Sequence, residues 1–542
     1  MSQDLGKAAM KSVYEDAAQM ILPETLGDFI ASRASELGDN ILCHFFMDEE
    51  TLTYRELDLA ANRMASSLLQ LGVRKGTHVA MMMPNIKEGV VAWVAIGRIG
   101  GVVVPVNTAY TSSEMYFVLL DSDAQFAIID SEYLDHFENL SDWPPLLIRE
   151  RVIVRGEASA AYPNWRELDE AGSETFEAPT AVTATDLLNL QYTSGTTGFP
   201  KGCMLTHEYW MLISHLAALQ RGERFGIKTT LIWAPFFYMD PQWQLLMAAC
   251  LGGTTYVARR MKLSDFMSWL IDFKIEYCIF PEPALKRYPP SELDKKLSLK
   301  FVNAFGWRGE ANVEIEKRLD IIARNSFGMT EIGGGITLPP DATDMIGTGT
   351  CGLPAPFREV RIVGEDEKDV ALGEIGELWV TGRAIMAGYY KRPEANAENF
   401  RGKWFRSGDL FRQDERGYYY IVGRIKEMIK RAGENISAFE VETVLRKMEP
   451  IEESAAVAVE DPVRKEELKV YILLKEGLSS DDCTPNMIFT HCEKHLAAFK
   501  IPRYIAYVTE FPRTPTRKIA KSKLLGGDLR IGAYDRSEDL WR

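Results

Sequence analysis

What this sequence lacks removes several classes of protein before any motif is read. Its longest apolar run, around residues 89–106, is broken by Arg98 and by Gly97, Gly100 and Gly101. It therefore reads as buried helix, turn and strand, and no membrane span is expected. The opening Met1-Ser-Gln-Asp-Leu-Gly6 lacks the basic-then-apolar order of a secretory signal. The seven cysteines are scattered with no CxxC pair, so a reduced, cytoplasmic setting is expected. An excess of basic residues is missing too. The formal charge of −15 argues against nucleic acid or anionic membrane as a partner, because either would need a positive footprint. The seven histidines are dispersed. His491, Cys492 and His495 have helical spacing, but no second ligand pair lies near them, so a solvated helix surface is the expectation.

What is present is a large core. Hydrophobic residues make up 46% of the 542, enough for roughly two to four domains. Tyr54–Leu71, Lys87–Ile99 and Ser112–Asp121 carry apolar residues at helical spacing. Between and after them, the segments 78–83, 101–106 and 124–129 are short and apolar. This βαβ rhythm predicts an α/β fold of doubly wound parallel sheets. From Gly349 the segments 359–363, 375–381 and 418–422 are short and β-rich, predicting a small antiparallel or barrel-like module. A compact α+β domain follows the basic stretch after Gly423. The boundary is placed between residues 424 and 425, giving domains 1–424 and 425–542.

One segment stands out chemically, Tyr192-Thr-Ser-Gly-Thr-Thr-Gly-Phe-Pro-Lys-Gly202. Its glycines let backbone N–H groups turn towards phosphate oxygens. Thr193, Ser194, Thr196 and Thr197 add short donors around Gly195 and Gly198, and Lys201 neutralises charge. Pro200 occupies the position where a Walker A loop needs glycine, so this is a different phosphate loop. A second glycine pattern, Gly347-Thr-Gly-Thr-Cys-Gly352, fits the dinucleotide fingerprint, but Pro354 and Pro356 follow at once. No long helix can start there, and a loop is expected.

The loop at 192–202 resembles the phosphate signature of the adenylate-forming superfamily, which includes acyl-CoA synthetases, peptide-synthetase adenylation domains and luciferases. The other motifs follow in order across roughly residues 20 to 525. Asn325-Ser-Phe-Gly-Met-Thr-Glu331 is similar to the family's adenine and magnesium segment, and Arg406-Ser-Gly-Asp409 to its ribose motif. Gly423-Arg-Ile-Lys-Glu-Met-Ile-Lys-Arg-Ala-Gly433 is similar to its hinge, and Pro512-Arg-Thr-Pro-Thr-Arg-Lys518 to its catalytic lysine loop.

The resemblance implies a role for each matched residue. Glu331 holds Mg²⁺ and Thr330 binds the adenylate phosphate. Phe327, with Asn325 and Gly328, faces the adenine, and Gly309-Glu310-Ala311 lets backbone approach its other side. Asp409 takes the ribose hydroxyls, and Arg424 contacts ribose or phosphate. Lys518 stabilises the charge that develops as a carboxylate attacks the α-phosphate. Lys426 is the hinge, and Lys430, Ala432 and Gly433 pass near the coenzyme A thiol. Arg517 departs from the family, which has glycine before the lysine.

The acyl pocket implied by the resemblance is Phe236, Tyr238, Asp240, Trp243, Trp307 and Arg308, with Tyr238 where relatives often have a gating histidine. Aromatic rings with Asp240 suit a cationic acid related to carnitine or betaine. A pair between Asp240 and Arg308 would instead leave a neutral pocket. The expected activity is ATP-dependent acid–CoA ligation, with ATP, Mg²⁺ and coenzyme A as cofactors and co-substrates and a homodimer admissible. Alternatives are an adenylation enzyme that loads a separate carrier protein, and a non-catalytic nucleotide- and acyl-binding protein.

Overall fold

The computed structural model describes residues 4–140, 142–157, 161–193, 200–307, 309–431, 434–462, 464–513, 518–526 and 528–542. The chain forms two compact units. The first comprises residues 1–360 and 380–405, the second 361–379 and 406–542.

The first unit holds two largely parallel sheets. One has six strands in the order Val152–Arg155, Phe126–Asp130, His78–Met82, Val102–Pro105, Leu187–Thr193 and Lys201–Thr206. Only its last pair is antiparallel. The other has seven strands, ordered Ile322–Arg324, Phe301–Asn303, Tyr277–Ile279, Thr229–Ile232, Thr254–Val257, Ile41–Phe45 and Glu50–Thr53.

The expected helices form where periodicity placed them, at Tyr54–Leu71, Lys87–Ile99 and Ser112–Asp121. Local chemistry starts two of them. Thr53 with Glu56, and Thr111 with Glu114, form reciprocal capping boxes that satisfy orphan backbone donors. Lys87–Ile99 is buried on nearly every face, as a helix enclosed by other elements must be. Trp93 from this helix packs edge-on against Trp210, with ring centroids 5.5 Å apart, and donates to buried Asn189 at 2.9 Å.

Asn85, just past the strand His78–Met82, ties the two sheets together. Its Nδ2 donates to the carbonyls of Ala234 and Ala258, both at 2.9 Å, and its Oδ1 accepts from Phe236 N at 2.7 Å. These are the carboxyl ends of strands in both sheets, where α/β folds place their ligands.

In the second unit, Trp404–Gln413 pairs antiparallel with Tyr419–Arg424, setting Asp409 opposite Arg424. Further along, Ile451–Asp461, Lys465–Leu474 and Tyr504–Val508 form a sheet. The helices Ala438–Leu445 and Pro485–His495 pack on it through Val441, Leu445, Ile488 and Cys492. Cys492 is thus a core residue, while His491 Nε2 lies 3.0 Å from Val444 O and His495 is exposed. Among the described residues, no helix is long and apolar enough to cross a membrane.

Candidate active site

Strands Leu187–Thr193 and Lys201–Thr206 form a hairpin that pairs Thr193 with Lys201 at its mouth. Ser194, Gly195, Thr196, Thr197 and Gly198 lie outside the described residues, as do Arg308, Ala432, Gly433 and Arg517. The outer side of Lys201–Thr206 is covered by residues 386–390. Ala387 N donates to Met204 O, Met204 N to Gly388 O, and Tyr390 N to Gly202 O. That backbone zipper delivers Tyr389 to the foot of the hairpin.

Tyr389 joins the two charges expected to serve ATP. Its hydroxyl donates to Glu331 Oε1 at 2.9 Å, and Lys201 Nζ stands 4.5 Å from the centre of its ring. Burial and the neighbouring Glu331 hold the Tyr389 phenol well above its ordinary range, so it stays a donor. Glu331 is buried, and its carbonyl accepts from Met386 N at 2.8 Å. Thr330 occupies the turn between strands Ser326–Met329 and Gly333–Thr337, and its carbonyl accepts from Tyr209 OH at 2.9 Å. Sequence reading missed Tyr389. It sits in Gly388-Tyr-Tyr390 with no flanking pattern of its own, and only the strand contact singles it out.

Around the expected adenine segment, Asn325 works inward. Its Oδ1 accepts from Gly306 N at 3.3 Å and Ser326 N at 3.0 Å. Phe327 is half-buried opposite Ile336, and Gly328 is exposed opposite Gly334. Gly309, Glu310 and Ala311 open the helix Gly309–Leu319, with Ala311 in the core and Glu310 exposed. A Cβ on Gly309 would meet Gly347 O at 2.3 Å. The close approach that this glycine permits is therefore to the Gly347 loop.

The expected acyl-pocket aromatics are each engaged. Phe236 packs on Trp93, Tyr238 on Phe237 and Trp307 on Phe280. Burial pushes the Tyr238 phenol up to about 12, so it is neutral. Trp243 Nε1 donates to Asp240 Oδ1 at 2.9 Å.

In the second unit, buried Asp409 accepts from Arg424 Nε at 3.0 Å. Burial raises its pKa, while Arg424 and Lys518 pull it down, which sets Lys518 within electrostatic reach. Glu377 anchors the turn before Asp409, accepting from Arg406 Nε at 2.9 Å, Trp379 Nε1 at 2.9 Å and Gly408 N at 3.0 Å. Lys521, three residues past Lys518, is tied to Glu427 and Glu442. It is therefore a structural cation. Lys426 is exposed on the single turn Ile425–Glu427, and Lys430 is exposed on strand Met428–Arg431.

The family described as AMP-binding enzyme matches residues 30–390, and its AMP-binding enzyme C-terminal domain matches residues 440–518. The chain belongs to the AMP-binding enzyme family. Among relatives of this family member, a crotonobetaine/carnitine–CoA ligase of Citrobacter koseri is 28% identical over 492 residues, covering 87% of this chain and 92% of the relative. An uncharacterized acyl–CoA ligase of Bacillus subtilis is 29% identical over 499 residues, covering 88% and 90%. Among solved structures, an anthranilate CoA ligase in complex with anthranoyl-AMP has TM-score 0.83 at 25% identity, covering 94% of this chain and 98% of that one. The o-succinylbenzoate CoA synthetase of Bacillus subtilis with its acyl-adenylate has TM-score 0.79 at 25% identity, covering 94% and 99%.

Proposed function

We propose that this AMP-binding enzyme is an ATP-dependent carboxylic acid–CoA ligase. The acid attacks the α-phosphate of ATP to give acyl-AMP and pyrophosphate. The thiol of coenzyme A then displaces AMP to give the thioester. The observation that carries the reading is the Lys201–Tyr389–Glu331 group beneath the phosphate hairpin. Lys201 supplies a cation for phosphate oxygens. Tyr389 holds Glu331 in one rotamer, so the carboxylate is preorganised and pays no reorganisation during reaction.

Mg²⁺ fits this site, since at nucleotide sites it takes one or two carboxylates plus phosphate oxygens and water, and Glu331 offers a buried carboxylate beside Lys201 that accepts from Tyr389. The ion, when bound, spreads the charge of the phosphates. Asp409 takes the ribose, with Arg424 beside it. Lys518 stabilises the charge passing between carboxylate and phosphate. Domain alternation about Lys426, with the boundary between residues 424 and 425, brings Lys430, Ala432 and Gly433 to the thiol step. The polar, exposed character of Lys426 supports that reading. The cytoplasmic setting rests on buried or half-buried free cysteines.

For the acid itself, Trp243 with Asp240, and relatives named for crotonobetaine and carnitine, support a quaternary-ammonium acid as one reading. A substrate panel with no preference for such acids over neutral ones of equal length sinks it. The activity as a whole is tested by ATP–pyrophosphate exchange over a panel of acids, followed by thioester detection with coenzyme A. No exchange with any acid defeats the ligase reading at its first step.

A further inference from the structure

We infer that Lys521 is a positioning residue for Lys518: it locks the foot of the lysine loop to the hinge turn Ile425–Glu427 and to the helix Ala438–Leu445. This deepens the ligase reading and rests on it, and on the adenylation role proposed there for Lys518.

Lys518 stands just before the point where its loop closes. Arg513 and Ile519 form an antiparallel bridge, and Ala520 N donates to Pro512 O at 2.7 Å. Each foot of the loop carries one cation, and each cation is met by a carboxylate on another element. Arg513 pairs with Glu453 on the strand Ile451–Asp461. Lys521 Nζ pairs with Glu442 Oε1 at 2.8 Å, on the helix Ala438–Leu445, and with Glu427. Three residues further on, Leu524 O accepts from Tyr471 OH at 3.2 Å. The chain is therefore held at 519, 520, 521 and 524, with Lys518 itself exposed at the free side of the closure.

The bridge through Lys521 differs from an ordinary surface ion pair. The Lys521 side chain is 20% exposed. Glu442 is buried, and its Oε1 also accepts from Ala456 N at 2.7 Å, which fixes the carboxylate against the strand Ile451–Asp461. Exposed pairs between two flexible side chains position little, whereas removing one member of a buried pair leaves its partner desolvated and unanswered. Neutralising Glu442 would by itself require only one contact. The second carboxylate belongs to Glu427, the residue after Lys426, so the same ammonium joins the loop, the helix and the hinge turn. A lysine side chain is long and flexible, and what such an anchor fixes is the backbone from which Lys518 springs. Placement at that scale matters, because about 1 Å of misplacement can cost about a hundredfold in rate.

The test measures two reactions on the full chain: ATP–pyrophosphate exchange with an acid that the wild type accepts, and thioester formation from supplied acyl-adenylate and coenzyme A. Lys521→Met is expected to lower the kcat of exchange by about ten- to a hundredfold, with KM for ATP and acid little changed and thioester formation largely kept. Lys521→Arg, which keeps a cation between the two carboxylates, should restore most of the exchange rate. Glu427→Gln, whose side chain is 36% exposed, should slow exchange severalfold without lowering the melting temperature. Equal loss of both reactions in Lys521→Met would make Lys521 a cation of general structure and overturn the inference, as would undiminished exchange. Should Lys521→Met not fold, Glu427→Gln decides, and unchanged exchange there overturns the inference. Exchange with no acid in the wild type defeats the ligase reading itself, and exchange that survives Lys518→Ala removes the role on which this inference rests. Exchange lost in Lys518→Ala but normal in Lys521→Met overturns this inference alone.

Discussion

At the scale of residues, Tyr389 couples two charges, its hydroxyl engaging Glu331 while its ring faces Lys201. A hydrogen bond to a charged acceptor contributes about 1.5–3 kcal/mol. Tyr389→Phe is therefore expected to lower the pyrophosphate-exchange rate by about tenfold or more and to raise the Mg²⁺ concentration needed for half-maximal rate. An unchanged Mg²⁺ response would show that the contact is only packing. On the role proposed for it, Lys518→Ala is expected to abolish exchange yet leave thioester formation from supplied acyl-adenylate largely intact. Equal loss of both steps would refute that division. Lys201, Glu331, Asp409 and Lys518 stand out in the sequence because each lies in a spaced motif. Tyr389 and Glu377 do not, because their contacts come from what lies across from them in space. Lys521 shows the converse, a lysine in a promising place whose charge is absorbed by Glu427 and Glu442.

At the scale of elements, periodicity and caps sufficed for the helices, whose ends at Thr53 and Thr111 are written in capping boxes. Strand ends moved by a residue or more, as from 418–422 expected to Tyr419–Arg424 observed, because ladder pairing with Trp404–Gln413 carries the strand past its apolar stretch to Arg424. A π-helical turn at 218–223 has no sequence signature at all. Gly309 is an element-scale constraint, since a Cβ there would meet Gly347 O at 2.3 Å. Gly309→Ala should lower the melting temperature of the first unit by several degrees, consistent with about 1–3 kcal/mol for overpacking. Gly349→Ala, with no atom within 4 Å of its Cβ but a φ of +80°, should cost less. Equal melting temperatures would mean that the Gly347 loop yields freely.

At the scale of the whole molecule, buried His207 makes stability depend on pH. Its Nδ1 accepts from Leu26 N at 3.1 Å, and burial holds its pKa at about 4 against an ordinary 6.5. Between those values the unfolded chain binds a proton that the folded chain does not, so stability is full above pH 6.5 and falls as pH drops towards 4. His207→Asn keeps an acceptor but cannot titrate. Its melting temperature should fall less than that of the wild type between pH 7 and pH 5, and parallel losses would assign the acid sensitivity elsewhere. Lys426→Pro, which stiffens the exposed turn Ile425–Glu427, should spare exchange and slow the thioester step.

The sequence by itself determined the α/β class, the helices, the ordered motifs and so the AMP-binding enzyme family, because periodicity and motif spacing are local properties of a chain. Only the tertiary structure decided which charges are answered and which are not. The partners of Glu331 and Lys521 lie scores of residues away, and burial, which makes an unanswered charge matter, exists only once the sheets have packed.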